Sequence, residues 1–275
     1  MSEEITADYA VEQLVPAQDL TALAHVTVAC KTDLGRVREN NEDKFEYFQS
    51  EDNAILASRG KVFVVCDGMG GHAAGQIASE LTAKTFIDVY LHHPAAEPEA
   101  AMHAAVAAAN RYVFDVGQAI PARRGMGTTL SALVLLNDRA YTVQVGDSRI
   151  YRLRGAEMNQ LTHDHTWVDE AIRQGMLSEQ EAENHPYKHV LTRAVGTEGT
   201  VEADVEVHDL QEGDVYLLCS DGLINHVEDV AIHQLLAEFH PAEAAWRLVG
   251  AALQGGGSDN TTVIVVRIDR IERFS

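Results

Sequence analysis

Basic charge is what this 275-residue chain has least of: 21 Lys and Arg stand against 42 Asp and Glu, a formal net charge of −21. Such a surface repels DNA, RNA and anionic lipid headgroups, so neither a nucleic acid nor a membrane surface is expected as a partner. No uncharged apolar run approaches the roughly 18–20 residues that span a bilayer. The first basic residue is Lys31, so the N-terminal stretch lacks the basic start of a secretory signal. Cysteine is scarce too. Cys30, Cys66 and Cys219 are odd in number, far apart and set in apolar runs, which fits reduced core thiols of a cytoplasmic protein rather than a disulfide framework or a Cys-x-x-Cys metal pair. A Pro/Ser-rich linker, a low-complexity tract and a solenoid-period repeat are all missing. So are a Walker-type glycine loop, a His-Glu-x-x-His helix and a Gly-x-Ser-x-Gly elbow.

What is present is enough apolar residue, 46% of the chain, for one large core. Residues 1–24 carry five acids and no Lys or Arg; they read as an acidic leader, either frayed or a short packing helix. Residues 25–275 are expected to form one domain. Apolar runs of strand length occur at Val62 to Cys66, Thr129 to Leu136, Ala140 to Val145, Val215 to Cys219 and Thr262 to Ile268, rich in β-branched residues and too short for helices. Helix-periodic, Ala-rich segments lie at Gln76–Leu91, Glu99–Gln118, Val230–Phe239 and Ala242–Leu253. Strands come in runs and helices in adjacent pairs, with a hairpin expected to turn at Gly146-Asp147-Ser148. Strict βαβ alternation is absent, and fully apolar strands imply sheets covered on both faces. The expectation is an α+β protein: a four-layer α-β-β-α sandwich of two antiparallel sheets flanked by helix pairs.

Acids gather where those strands end. Asp67 follows VFVVC, Asp221 follows VYLLCS, Asp259 precedes TTVIVV, and Glu42-Asp43 precedes FEYF. Asp67-Gly68 or Asp221-Gly222 alone would be ordinary turn chemistry. Four strand-end acids in one chain suggest convergence on one site. Buried together they would repel, and Arg38 is the one evident local counter-charge. Magnesium or manganese would resolve that, since both prefer carboxylate, carbonyl and water oxygens. Two such ions about 3.5–4 Å apart can hold a bridging hydroxide for in-line attack on phosphorus. Phosphoryl transfer to water is the chemistry this pattern supports. The glycines of Asp67-Gly68-Met69-Gly70-Gly71-His72 permit tight turns and close backbone approach, in a site or merely at the start of a helix.

At these residues the sequence resembles the metal-dependent protein phosphatase family of type 2C in its bacterial form. Gly35-Arg36-Val37-Arg38-Glu39-Asn40-Asn41-Glu42-Asp43 is similar to its opening motif, followed in the family's order by VVCDGMGGHAAGQIAS, Gly127-Thr128-Thr129, Gly146-Asp147-Ser148-Arg149-Ile150-Tyr151, LTHDHT, LTRAVG, LCSDGL and GGSDNTTVIVV. The resemblance runs from Thr27 to Ile268. It implies a β-sandwich between helix pairs and manganese- or magnesium-dependent hydrolysis of phosphoserine and phosphothreonine on proteins. It also implies roles: Asp67 bridges two ions, Glu42 and the Gly68 carbonyl belong to one, Asp221 and Asp259 to the other. Asp43 stands behind them, Arg38 clamps the phosphate, and Asp147 shares a third, weaker ion with Asp221. Asn260 orients its loop. His72 is the loosely matched candidate for the leaving-group proton, with water as the alternative, because Met69 stands where some relatives have His. An opposing Ser/Thr kinase is expected by analogy.

His163 and His165 are read as structural or substrate-facing. The polar, helix-prone stretch 166–196 corresponds to the family's variable flap, either a solvated insertion or a lid that helps select substrates. A scaffold that has lost catalysis would have lost acids, and every expected acid is here. A small phosphorylated molecule remains an alternative substrate, because metals read only the phosphate.

Overall fold

The computed structural model describes residues 19–71, 73–182 and 185–274. Two five-stranded antiparallel sheets stack face to face. The first runs in the order β1 (Ala22–Asp33), β12 (Thr261–Arg273), β11 (Val215–Cys219), β8 (Arg149–Arg154) and β9 (Glu157–Gln160). The second runs β10 (Asp204–Asp209), β7 (Arg139–Val145), β6 (Leu130–Leu136), β3 (Lys61–Cys66) and β2 (Lys44–Phe48). A two-residue pair, β4 (Gly68–Met69) with β5 (Gly127–Thr128), continues β3 and precedes β6.

Three apolar layers hold the sandwich. Phe63, Val65, Leu133, Tyr216, Leu218, Ile264 and Val266 meet between the sheets. The opposite faces of β3 and β6, through Val62, Val64, Ala132 and Val134, pack under α2 (Ala73–His92) and α3 (Pro98–Ala119). Leu217, Cys219, Val263 and Val265 pack under α7 (Asp229–Glu238) and α8 (Pro241–Gln254). Every residue of β6 is buried, as a strand covered on both faces requires. The expected four layers are therefore present. Short helices fill the joins: α1 (Asn53–Ser58), α4 (Trp167–Arg173), α5 (Glu179–Ala182) and α6 (Asp221–Ile224).

Two expectations need correction. The first strand begins at Ala22 and pairs with Arg273, so residues 22–24, assigned by composition to the acidic leader, belong to the sheet. Ala22 and Ala24 are buried, and their small apolar side chains explain why. Second, Gly146-Asp147-Ser148 does not turn a hairpin. β7 lies in one sheet and β8 in the other, so the turn crosses the sandwich. Ser131, Gln144 and Ser148 form a buried hydrogen-bonded group there, and the chain crosses rather than doubles back because those polar groups are satisfied only at the crossing.

Candidate active site

The expected acids meet at one end of the sandwich. Asp67 leaves β3, Asp221 opens α6 directly after β11, and Asp259 lies two residues before β12. Glu42 sits just before β2, and Asp147 in the turn between sheets. Together with Arg38, Gly68, Lys188 and His189 they line a cleft of about 610 Å³. Asp43 does not line it. Its carboxylate is buried behind, where Oδ2 accepts from Ser220 Oγ at 2.7 Å. His72 lies outside the described residues.

Close backbone approach makes the cradle. A Cβ on Gly75 would fall 1.9 Å from Glu42 Oε2, and one on Gly68 would fall 2.2 Å from the Gly75 carbonyl oxygen and 2.6 Å from that of Glu42. Only glycine permits Glu42 to lie against the first turn of α2 with Gly68 beside it. Asn260 fixes the same loop: its Oδ1 accepts from Glu42 N at 2.8 Å, and its Nδ2 donates to the carbonyls of Leu34 and Asn40 at 2.9 and 3.0 Å. Asp67 is held by its backbone, with N donating to Thr129 Oγ1 at 2.8 Å and O accepting from Thr129 N at 2.9 Å. Thr128 Oγ1 donates to the same oxygen at 2.8 Å.

Charge is unbalanced here. Burial, then the nearby acids Asp43, Asp221, Asp147 and Asp259, hold the Asp67 carboxyl well above the usual carboxylate range. Burial first and Asp221 second push Asp147 up to about 7. Burial, offset in part by Ser220 and with Asp221 and Asp259 adding to it, pushes Asp43 to about 7 as well. Burial first and Asp259 second raise the Asp221 carboxyl above its ordinary range. Asp221 Oδ1 is buried with no donor against it. Arg38 Nη2 donates to Asp259 Oδ2 at 2.6 Å, while Asn225 Nδ2 donates to Asp221 Oδ2 at 3.0 Å. Among the described residues, no three His, Cys, Asp or Glu side chains are gathered closely enough to hold an ion unaided.

The chain has recognisable relatives along most of its length. The model of the family described as protein phosphatase 2C matches residues 36–253. The chain belongs to the protein phosphatase 2C family. It is 36% identical over 248 residues to the serine/threonine phosphatase stp of Listeria monocytogenes, covering 88% of this chain and 96% of that one. It is 37% identical over 250 residues to the serine/threonine protein phosphatase PstP of Mycobacterium tuberculosis, covering 90% of this chain but only 46% of that longer protein. The serine/threonine phosphatase of S. agalactiae superposes with a TM-score of 0.82 at 34% identity, covering 89% of this chain and all of that one. A PstP catalytic domain solved with two manganese ions gives 0.77 at 36% identity, covering 91% and 100%.

Sequence reasoning missed part of this protein phosphatase 2C site. Lys188 and His189 reach the cleft from the 166–196 segment, and Asn225 and His226 from α6 and the turn after it. Asn225 was detectable, since it stands four residues after Asp221 and so on the same helical face. Lys188 and His189 carry no such local signal. The two histidines of LTHDHT part company: His163 is exposed, whereas His165 is fully buried.

Proposed function

We propose that this phosphatase hydrolyses phosphoserine and phosphothreonine on protein substrates with two manganese or magnesium ions held at the Asp67 cleft. The observation that carries the reading is that Asp67, Asp147 and Asp221 line one cleft with too few cations to balance them. A raised Asp67 carboxyl and an orphaned buried Asp221 oxygen are what an oxygen-ligated cation site shows without its charge. The residues fit. Asp67 would bridge the two ions; Glu42 and the Gly68 carbonyl would serve one, Asp221 and Asp259 the other. Asp147 with Asp221 would take a third, weaker ion, and Asp43 would support the set from behind through Ser220. When bound, the pair supplies an activated water and positive charge to meet the displacement at phosphorus.

The chain's own residues do the rest. Acids lining the cleft exceed its fixed cations, Arg38 and Lys188, by three, so two divalent ions leave it slightly positive and ready for a phosphate. Arg38, whose Nη2 donates to Asp259 Oδ2, is the guanidinium that would clamp the phosphate, its planar fork suiting two phosphate oxygens. The 166–196 segment serves as a flap, bringing Lys188 and His189 over the cleft. No described helix is long and apolar enough to cross a membrane. A cytoplasmic setting and the absence of nucleic-acid partners are further parts of this reading, supported by the charge and composition; an opposing Ser/Thr kinase is part of it by analogy with the family alone. The test is turnover of p-nitrophenyl phosphate, phosphothreonine peptides and phosphorylated metabolites before and after chelation. Activity on the peptides restored by manganese is expected. Undiminished turnover after thorough chelation overturns the metal reading, and a clear preference for metabolites overturns the substrate.

A further inference from the structure

His165 is a fully buried imidazole that the reaction above leaves unused, and all four of its polar groups are engaged. Its backbone N donates to the Gly146 carbonyl at 2.9 Å, and its own carbonyl accepts from Thr192 N at 2.8 Å. Ring Nδ1 accepts from Gly146 N at 3.2 Å, so the remaining ring proton sits on Nε2, which donates to Asp204 Oδ2 at 3.0 Å. Asp204 is held in turn by Arg193 Nη1 at 2.7 Å and lies across from Gln144 in the β10–β7 register. One residue thus grips Gly146 on both its N–H and its C=O, immediately before Asp147.

The grip has a counterpart on the other side of the turn. Gln144 Nε2 donates to the carbonyls of Gly146 and Ser148 at 2.9 and 2.7 Å. Ser148 Oγ shares a 2.7 Å hydrogen bond with Thr129 Oγ1, the atom that receives Asp67 N. Gly146 adopts φ +100, and a Cβ there would fall 2.6 Å from Thr129 Cγ2, so the turn is pressed against Thr129 with no slack. His165 also stands at the foot of the flap: Thr166 bridges Leu191, and Trp167 N donates to the Val190 carbonyl at 2.8 Å.

We propose that His165 is a positioning residue that fixes the Asp147 turn to the base of the flap, so that Asp147 presents its carboxylate to the third ion. The proposal rests on the assignment of that ion to Asp147 and Asp221. An imidazole that only filled space would need neither a fixed tautomer nor a carboxylate aimed at it, and this one has both.

The two ring contacts can be separated by mutation. His165→Asn keeps an acceptor near Nδ1 for Gly146, whereas His165→Gln keeps a donor near Nε2 for Asp204. Manganese binding by the full chain, read by calorimetry and electron paramagnetic resonance, reports tight and weak ions separately, with Asp147→Asn as reference and melting curves as the check on folding. Asp147→Asn is expected to lose the weak ion and keep both tight ones. His165→Gln is expected to weaken the weak ion about 10- to 100-fold with the tight ions unchanged, and His165→Asn, which keeps the Gly146 contact, to weaken it no more than Asp204→Ala does. Asp204→Ala, at a half-exposed edge position, tests the buttress without emptying the core and is expected to weaken the weak ion on the order of 3- to 10-fold. Wild-type weak-ion affinity in both His165→Gln and Asp204→Ala overturns the proposal. So does equal loss in the Asn and Gln variants, which would make the ring mere packing. If Asp147→Asn keeps the weak ion, the third-ion assignment fails and the proposal falls with it.

Discussion

Strand β11 lies between two acids, Asp214 before it and Asp221 after it, and the two ends of the sandwich treat their acids oppositely. Away from the cleft, Asp214 is buried with Arg154 Nε and Nη2 each 2.7 Å from its carboxylate, Gln211 N donating at 3.0 Å and Tyr216 OH close by. A second arm of Arg154 donates to Asp209 Oδ2 at 2.8 Å. At the cleft, Asp67, Asp147 and Asp221 face each other with Arg38 turned to Asp259. A pocket of about 520 Å³ opens beside Arg154, close in size to the active cleft, so volume does not distinguish them. Satisfaction does. The acid at one end is neutralised within the protein and stabilises it; those at the other are left for a ligand that brings charge.

Removing an acid from the crowded end should therefore cost activity and raise metal-free stability. Asp67→Asn is expected to lower kcat/KM by roughly 10³-fold or more, because it removes the one carboxylate proposed to touch both ions. The melting temperature of the metal-free variant should rise; a fall would show that the acids do not repel as described. Arg154→Ala should do the reverse. Leaving Asp214 buried and unpaired is expected to cost about 3–5 kcal/mol in denaturant unfolding, with turnover per folded molecule unchanged.

Arg38→Ala should raise KM, with a loss of about 1.5–3 kcal/mol in kcat/KM, roughly 10- to 150-fold. Arg38→Lys should recover only part, since an ammonium lacks the fork. Kinetics at saturating manganese check both, and a wild-type KM in the Ala variant would leave phosphate binding to the metals. The smallest effect is a pH slope. Asp43 and Asp147, pushed up to about 7 by burial and neighbouring acids, keep protons in the folded state that the unfolded chain releases near pH 4. Metal-free stability should thus fall as pH rises from about 4 to 7 and level off above. Manganese should flatten that slope in melting curves taken across the range.

The acids at strand ends were legible because each lies beside a continuous apolar run, and a strand buried on both faces has no room for an unpaired charge within it. The layers were legible for the same reason: Leu130 to Leu136 has no polar face to offer water beyond Ser131, which is paired inside. The crossing at Gly146-Asp147-Ser148 was not. A glycine turn between two β-branched runs reads identically whether the strands pair or part, and the choice is made by Ser131 and Gln144, whose partners are set by the tertiary fold. Lys188 and His189 were hidden similarly, since the path of the flap depends on His165 meeting Gly146 across the sandwich corner.

The pairing of β1 with β12 over its whole length has a consequence for how the protein is made. During synthesis the first strand of the sheet leaves the ribosome long before the strand that covers its inner edge, and the helix pair α7–α8 comes late as well. Val26, Val28 and Cys30 pack into the layer between the sheets only once β12 is in place. Until then β1 has both edges unpaired and is prone to wrong pairing, whereas in the finished sheet only its outer edge stays open. A topology dominated by such distant partners folds slowly, so β1 is where a chaperone would be needed most, and its acidic surroundings help keep that waiting strand apart from its copies.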